Sequence, residues 1–322
     1  MMRMRPHRHR RLPRHCLRFA ALSVLLAITT ACLDDMREAS ELIDAGQVIG
    51  VRATPPEVNP GDRVTLDALV HWPSGEPTLV WLVCVPDVGD TLMSCLSNQL
   101  GQSLEPPLCD LDPSARLCLA GMNDTVNYRV PEGIFPDDGE DHTFFVNLLA
   151  TDGGDIASCS DTLMGGAPTD TCLLSIKRVV VSYKDPAELN VNPIASRFTL
   201  QGRDLDPDAV ETVDSTEPDI EDFELRVGFI VDAASVDELF PPDEEPTSYE
   251  LVVSWFADCG AVEKEKSFVY CSPLEDTGEP FCEPAVVTWT PKTTGECTFH
   301  AVVRDLRGGV GFVSQRFLVQ SL

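Results

Sequence analysis

Thr298-Phe-His-Ala-Val-Val-Arg-Asp-Leu-Arg-Gly-Gly309 follows the same plan as Thr143-Phe-Phe-Val-Asn-Leu-Leu-Ala-Thr-Asp-Gly-Gly154. Each runs from closely spaced apolar residues into an acid and a Gly-Gly pair, the pattern of a strand entering a tight reversal. A second apolar run leads out of each turn: Val310-Gly-Phe-Val-Ser-Gln-Arg-Phe-Leu-Val319 in the later copy and Leu174-Ser-Ile-Lys-Arg-Val-Val-Val-Ser182 in the earlier. Upstream, Glu250-Leu-Val-Val-Ser-Trp-Phe256 matches Thr78-Leu-Val-Trp-Leu-Val-Cys84, each an apolar run around a tryptophan. Pro284-Ala-Val-Val-Thr-Trp-Thr-Pro291 likewise matches Thr125-Val-Asn-Tyr-Arg-Val130 and the following Pro131. The two halves are therefore an internal duplication in pattern.

The first half adds Val48-Ile-Gly-Val-Arg-Ala53 and Arg63-Val-Thr-Leu-Asp-Ala-Leu-Val70, where Val64, Leu66, Ala68 and Val70 alternate on one face. Between them, residues 54–62 hold three prolines and a glycine. Short alternating strands between turn signals, with a tryptophan on a central strand, predict an all-β protein of two β-sandwiches. Each half resembles bacterial immunoglobulin-like and PKD-like surface domains, mainly over residues 48–84, 125–182, 250–257 and 284–320. The expected layout is sandwich 1 over 48–184 with a cysteine-rich insertion at 85–123, a polar proline-bearing linker at 185–193, and sandwich 2 over 194–322. An acidic stretch at 204–222, without aromatics, reads as a mobile insertion, and Pro241-Pro-Asp-Glu-Glu-Pro246 as a second one.

The N-terminus has a different character. Seven arginines and no acid occupy the first 18 residues, and an uncharged apolar run of 12, Phe19–Thr30, follows. A basic region, a short apolar core and small residues at the exit are the parts of a secretory signal peptide, here 1–31. The run is too short for a stable membrane span, which needs ~20 apolar residues. The exit, Ile28-Thr-Thr-Ala-Cys32, resembles the lipobox of bacterial lipoproteins, with Thr29 where leucine is commonest. The resemblance implies that Cys32 is acylated and becomes the mature N-terminus, followed by a tether over 32–47. Leu33, not aspartate, comes next, which by the same resemblance implies an exported protein held at the outer membrane.

Without the leader's seven arginines, 17 basic residues face all 52 acids, a net charge of −35. Such a surface repels nucleic acid and favours cations and basic partners. Of twelve cysteines, Cys16 lies in the leader and Cys32 at the lipid site. The remaining ten are Cys84, Cys95, Cys109, Cys118, Cys159, Cys172, Cys259, Cys271, Cys282 and Cys297. None are spaced C-x-x-C, so they predict disulfides in an exported chain, not a zinc knuckle or redox motif. Six fall in the first half and four in the second, which allows 15 and 3 connectivities respectively if bridges stay within domains, and spacing chooses none.

Chemistry is sparse. The mature chain has three histidines, His71, His142 and His300, none in a metalloprotease motif, and neither a G-x-S-x-G elbow nor a P-loop occurs. His142 and His300 sit at equivalent strands of the repeat and read as strand-surface residues. Asp204, Asp206 and Asp208 alternate as calcium ligands do, but Ala209 and Ser215 stand where an EF-hand needs Gly and Glu. The favoured reading is a non-catalytic envelope lipoprotein, a surface binding or structural module without a cofactor. Its partners would be the membrane, through the lipid, and an envelope protein or polysaccharide. A calcium-dependent adhesin is the alternative, and an enzyme with an unrecognised site stands third.

Overall fold

The computed structural model describes residues 46–72, 75–86, 106–152, 159, 172–214, 223–232, 235–236, 241, 243–244 and 248–320. The signal peptide, Cys32, all of the tether but its last two residues, Cys95 and the Gly-Gly turn at 153–154 lie outside them. The described residues all belong to one compact unit, Glu41–Leu322.

The first sandwich is built from β1 (Gln47–Thr54), β2 (Glu57–Val58), β3 (Arg63–His71), β4 (Thr78–Cys84), β5 (Leu117–Gly121), β6 (Thr125–Arg129), β7 (His142–Thr151) and β8 (Cys172–Val181). One sheet has the order β1-β3-β6 and the other β2-β8-β7-β4-β5. The second sandwich opens with β9 (Ile194–Leu200), β10 (Arg203–Asp204), β11 (Val210–Asp214), β12 (Phe223–Ile230), β13 (Leu251–Ala257) and β14 (Ala261–Val262). It continues with β15 (Lys266–Val269), β16 (Cys271–Pro273), β17 (Pro280–Cys282), β18 (Ala285–Thr290), β19 (Gly295–Asp305) and β20 (Val310–Gln320). Its sheets run β10-β9-β12-β18-β14 and β11-β20-β19-β13-β15, and β16-β17 form a separate hairpin.

The larger sheet of sandwich 1 and the β11–β15 sheet of sandwich 2 correspond strand for strand. A short strand pairs parallel with the last strand (β2 with β8, β11 with β20), and the final hairpin, the tryptophan strand and an edge strand follow. This is an immunoglobulin-like arrangement, repeated twice. The sequence-matched segments occupy equivalent places: β4 and β13, β6 and β18, β7 and β19, β8 and β20.

Alternation explains the packing. In β18, Ala285, Val287 and Trp289 point inward, and in β6 Val126 and Tyr128 do. Each core tryptophan also finds a partner for its indole N–H. Trp81 donates to Asn123 O (2.8 Å), Trp255 to Ser267 Oγ (2.9 Å) and Trp289 to Cys259 O (2.9 Å). That satisfies the polar end of a large apolar side chain. β4 buries both faces: Trp81 and Val83 join the inter-sheet core, while Val80, Leu82 and Cys84 form a second cluster on the outer face with Leu149, Cys159 and Cys172.

The acidic stretch 204–222 differs from expectation. Val210–Asp214 is not a mobile insertion but strand β11, paired in register with Arg316–Gln320. The reason is Val213, which is buried in the core and draws the polar residues beside it into the sheet. Residues 215–222 lie outside the described residues. Within the cysteine-rich insertion, Leu117–Gly121 is likewise a strand, β5, paired with β4, and 87–105 lie outside the described residues.

Candidate functional site

Strand β15 and hairpin β16–β17 form the edge of sandwich 2, and their alternation decides what reaches solvent. Ser267, Val269 and Cys271 turn inward, so Phe268 and Tyr270 turn outward. Phe281, opposite Ser272 in register, and Leu274 join them. These side chains are 53% (Phe268), 44% (Tyr270), 50% (Phe281) and 41% (Leu274) exposed, whereas most other aromatics among the described residues are core. Tyr249 braces Phe268 at 4.6 Å between ring centroids. The Cys271–Cys282 disulfide staples the hairpin beneath the aromatic ribbon. Ser267 Oγ takes the Trp255 indole N–H and donates to Val286 O (3.2 Å), which ties β13, β15 and β18 together below it.

A groove of about 460 Å³ runs beside the ribbon, with Phe268 and Tyr270 on one side and Glu283 and Pro284 on the other. Glu244 supplies a further acceptor and Lys264 a donor. Aromatic faces flanked by carboxylates can stack on a ring or apolar surface, hold a cation over a ring, and accept hydrogen bonds at the rim. The sequence signal for it is Lys266-Ser-Phe-Val-Tyr-Cys271, a short alternation ending at a cysteine. The sequence reading passed over it, because an edge strand this short carries few buried residues.

The second feature is the seam between the sandwiches, where β1 lies on β19 and β20. A Cβ on Gly50 would be 3.4 Å from Val302 Cγ1, and Arg52 stacks 4.4 Å above the Phe312 ring. From the linker, Asn192 Nδ2 donates to Ala53 O (2.8 Å) while its Oδ1 accepts from Val310 N (2.8 Å). Glu57, only 3% exposed, accepts from Lys184 (2.8 Å), Arg307 (3.4 Å) and Asn190 N (2.8 Å). Its bond with Glu57 holds the Lys184 ammonium above the usual lysine range. Lys177 of β8 donates to Gly308 O in the β19–β20 turn. Both glycines of that turn are required: Gly308 has φ +101°, and a Cβ on Gly309 would collide with Asp305 Oδ2 at 2.1 Å.

Among the described residues the disulfides are Cys109–Cys118, Cys159–Cys172, Cys259–Cys297 and Cys271–Cys282, and Cys84 is also disulfide-bonded. The carboxylates of Asp204, Asp206 and Asp208 are not brought into one cluster. Asp204 pairs with Arg197 (3.3 Å), and Asp206 Oδ1 accepts from the Asp208 N–H (3.0 Å) to shape its own turn. Nearby, Glu211 pairs with Arg203. Among the described residues, one group of three ligand-type side chains converges, Asp258, Cys259 and Cys297, and its two sulfurs are bonded to each other.

His142 is a strand-surface residue, its Nε2 3.0 Å from both Pro136 O and Asp138 Oδ1. Hydrogen bonds from the Glu140 N–H and from His142 hold the Asp138 carboxyl below the usual range. His300 is not on the surface. It is buried at the seam with Nδ1 2.7 Å from Ser314 Oγ, because sandwich 1 covers that face of β19.

No protein-family model matches the chain, and no curated protein matches it. Solved structures similar to it include the fibronectin(III)-like modules of Clostridium thermocellum CbhA, at 9% identity over 85% of this chain and 94% of that one, with a TM-score of 0.22. The two tandem V-type regions of VCBP3, a v-region-containing chitin binding protein, match at 11% identity over 85% and 100%, with a TM-score of 0.27. Red sea bream transglutaminase matches at 10% identity over 87% of this chain and 32% of its own, with a TM-score of 0.26. At these values the fold assignment rests on the sheet order described above.

Proposed function

We propose that the protein is a non-catalytic binding module of the bacterial cell envelope, anchored by lipid on Cys32, which presents the aromatic ribbon of sandwich 2 to an envelope protein or polysaccharide. The observation that carries this reading is the ribbon itself. Phe268, Tyr270 and Phe281 are about half exposed on one stapled edge, and Phe268 and Tyr270 line a groove beside it. Exposed apolar patches of this kind, rimmed by polar groups, mark interaction sites. The disulfides and the arginine-rich leader support an extracytoplasmic address.

The test is crosslinking on living cells followed by capture of the tagged protein. Replacing Phe268, Tyr270 and Phe281 together by alanine is expected to abolish capture of whatever the wild type retains, with circular dichroism unchanged. Equal capture by wild type and variant would refute the ribbon as the contact surface. The anchor has its own test. Cys32→Ala is expected to abolish labelling by radioactive palmitate and to release the protein from membranes, and labelling at the wild-type level would overturn the lipidation.

A further inference from the structure

Along the seam, the cavity between Lys177 and Arg304 reverses the charge of its surroundings. It measures about 280 Å³, lies between β1, β8 and the β19–β20 hairpin, and has Lys177, Arg178, Arg304 and Asp305 as its charged lining. In a chain with 52 acids against 24 basic residues, the cations of Lys177 and Arg304 converge on one small opening, whose lining also includes the exposed Arg178.

Their partners leave that charge largely uncompensated. Lys177 is buried and donates to the Gly308 carbonyl, although an ammonium has three donors. Arg304 reaches Ser254 Oγ at 3.0 Å and Ile49 O at 3.4 Å, both neutral acceptors. Asp305 is the one acid, and its oxygens are engaged elsewhere. Oδ1 accepts from the N–H groups of Arg307 (2.9 Å) and Gly309 (2.6 Å), and Oδ2 from Asn190 Nδ2 (3.2 Å).

The titration behaviour agrees with the geometry. Burial, opposed by the Asp305 charge and aided by those of Arg304 and Arg178, brings Lys177 down to about 8, and burial also lowers Arg304. A cation withdrawn from water is costly until an anion pairs with it.

We propose that this cavity is a binding site for a small oxyanion, phosphate or sulfate, free or as a terminal ester group, held by Lys177 and Arg304. The lining comes from both sandwiches, so an anion bound there stabilises the seam by mass action.

The deciding experiment follows the Lys177 side chain by carbon-13 NMR through a pH titration of the intact protein. Millimolar phosphate or sulfate is compared with chloride at equal ionic strength. The Lys177 midpoint is expected to move upward by about one pH unit or more when the anion binds, because a paired ammonium holds its proton. An identical midpoint in all three salts overturns the proposal. Methyl phosphate separates the sources: a shift with phosphate alone assigns the free ion, and a shift with both admits an esterified group. Thermal unfolding gives a second reading, in which phosphate raises Tm for the wild type and not for Lys177→Met. An equal rise in both proteins would also overturn the site, and should Lys177→Met fail to fold, the wild-type titration decides alone.

Discussion

His300 shows how a neighbouring sandwich changes the chemistry of a single residue. Burial, reinforced by the His71 imidazole nearby, pulls its pKa down to about 4. In the unfolded chain the same ring takes up a proton near its ordinary value of about 6.5. Between these values the unfolded state binds more protons, so stability is complete above about pH 6.5 and falls as the pH drops toward 4. The full effect is on the order of 3 kcal/mol. His300→Gln is expected to flatten this part of the Tm profile between pH 7 and 4. Parallel profiles for the two proteins would show that the buried imidazole does not govern it. The sequence placed His300 on a strand but could not show what covers that strand, because the cover, β1, comes some 250 residues earlier in the chain. The aspartates at 204, 206 and 208 are kept from converging for a related reason. Spacing says that carboxylates are close in sequence, while Arg197 and the local turn decide where they point.

Strands with strong alternation were legible, and each of the ten segments read from the sequence overlaps a strand. β7, β8, β19 and β20 are the clearest, since each pairs along nearly its whole length. Strands supported by few buried residues were missed. β11 hides within an acidic run because one valine, Val213, anchors it. β12 carries its own signal in Phe223, Leu225 and Val227, but the acids before it obscure where it starts. The aromatic ribbon belongs to this class. The Phe268–Tyr270 alternation fixes which residues share a face, whereas the outward direction follows from β15 being an edge strand, a property of sheet order. The Cys271–Cys282 and Cys109–Cys118 pairs were likewise beyond sequence spacing, because pairing follows from which segments become neighbours.

For the molecule as a whole, the linker residues Asn190 and Asn192 make the two sandwiches interdependent. Asn192 bridges Ala53 and Val310, and Asn190 joins Glu57 to Asp305. The wild type is therefore expected to unfold in one calorimetric transition. Asn192→Ala, which removes a bond to each side at roughly 1 kcal/mol apiece, should separate the sandwiches into two overlapping transitions or broaden the one. An unchanged single peak would show that the apolar contact of Gly50 with Val302 and Phe312 suffices to couple them.

The seam joins unlike faces of two like units: the β1 side of the first meets the outer β19–β20 face of the second. Contacts of this head-to-tail kind do not close on themselves, and a further copy can in principle continue the series. The corresponding outer face of sandwich 1 is occupied by its own apolar cluster of Val80, Leu82 and Leu149, buried together with the Cys159–Cys172 disulfide. In sandwich 1 a covalent staple thus covers part of the very face that, in sandwich 2, receives its neighbour.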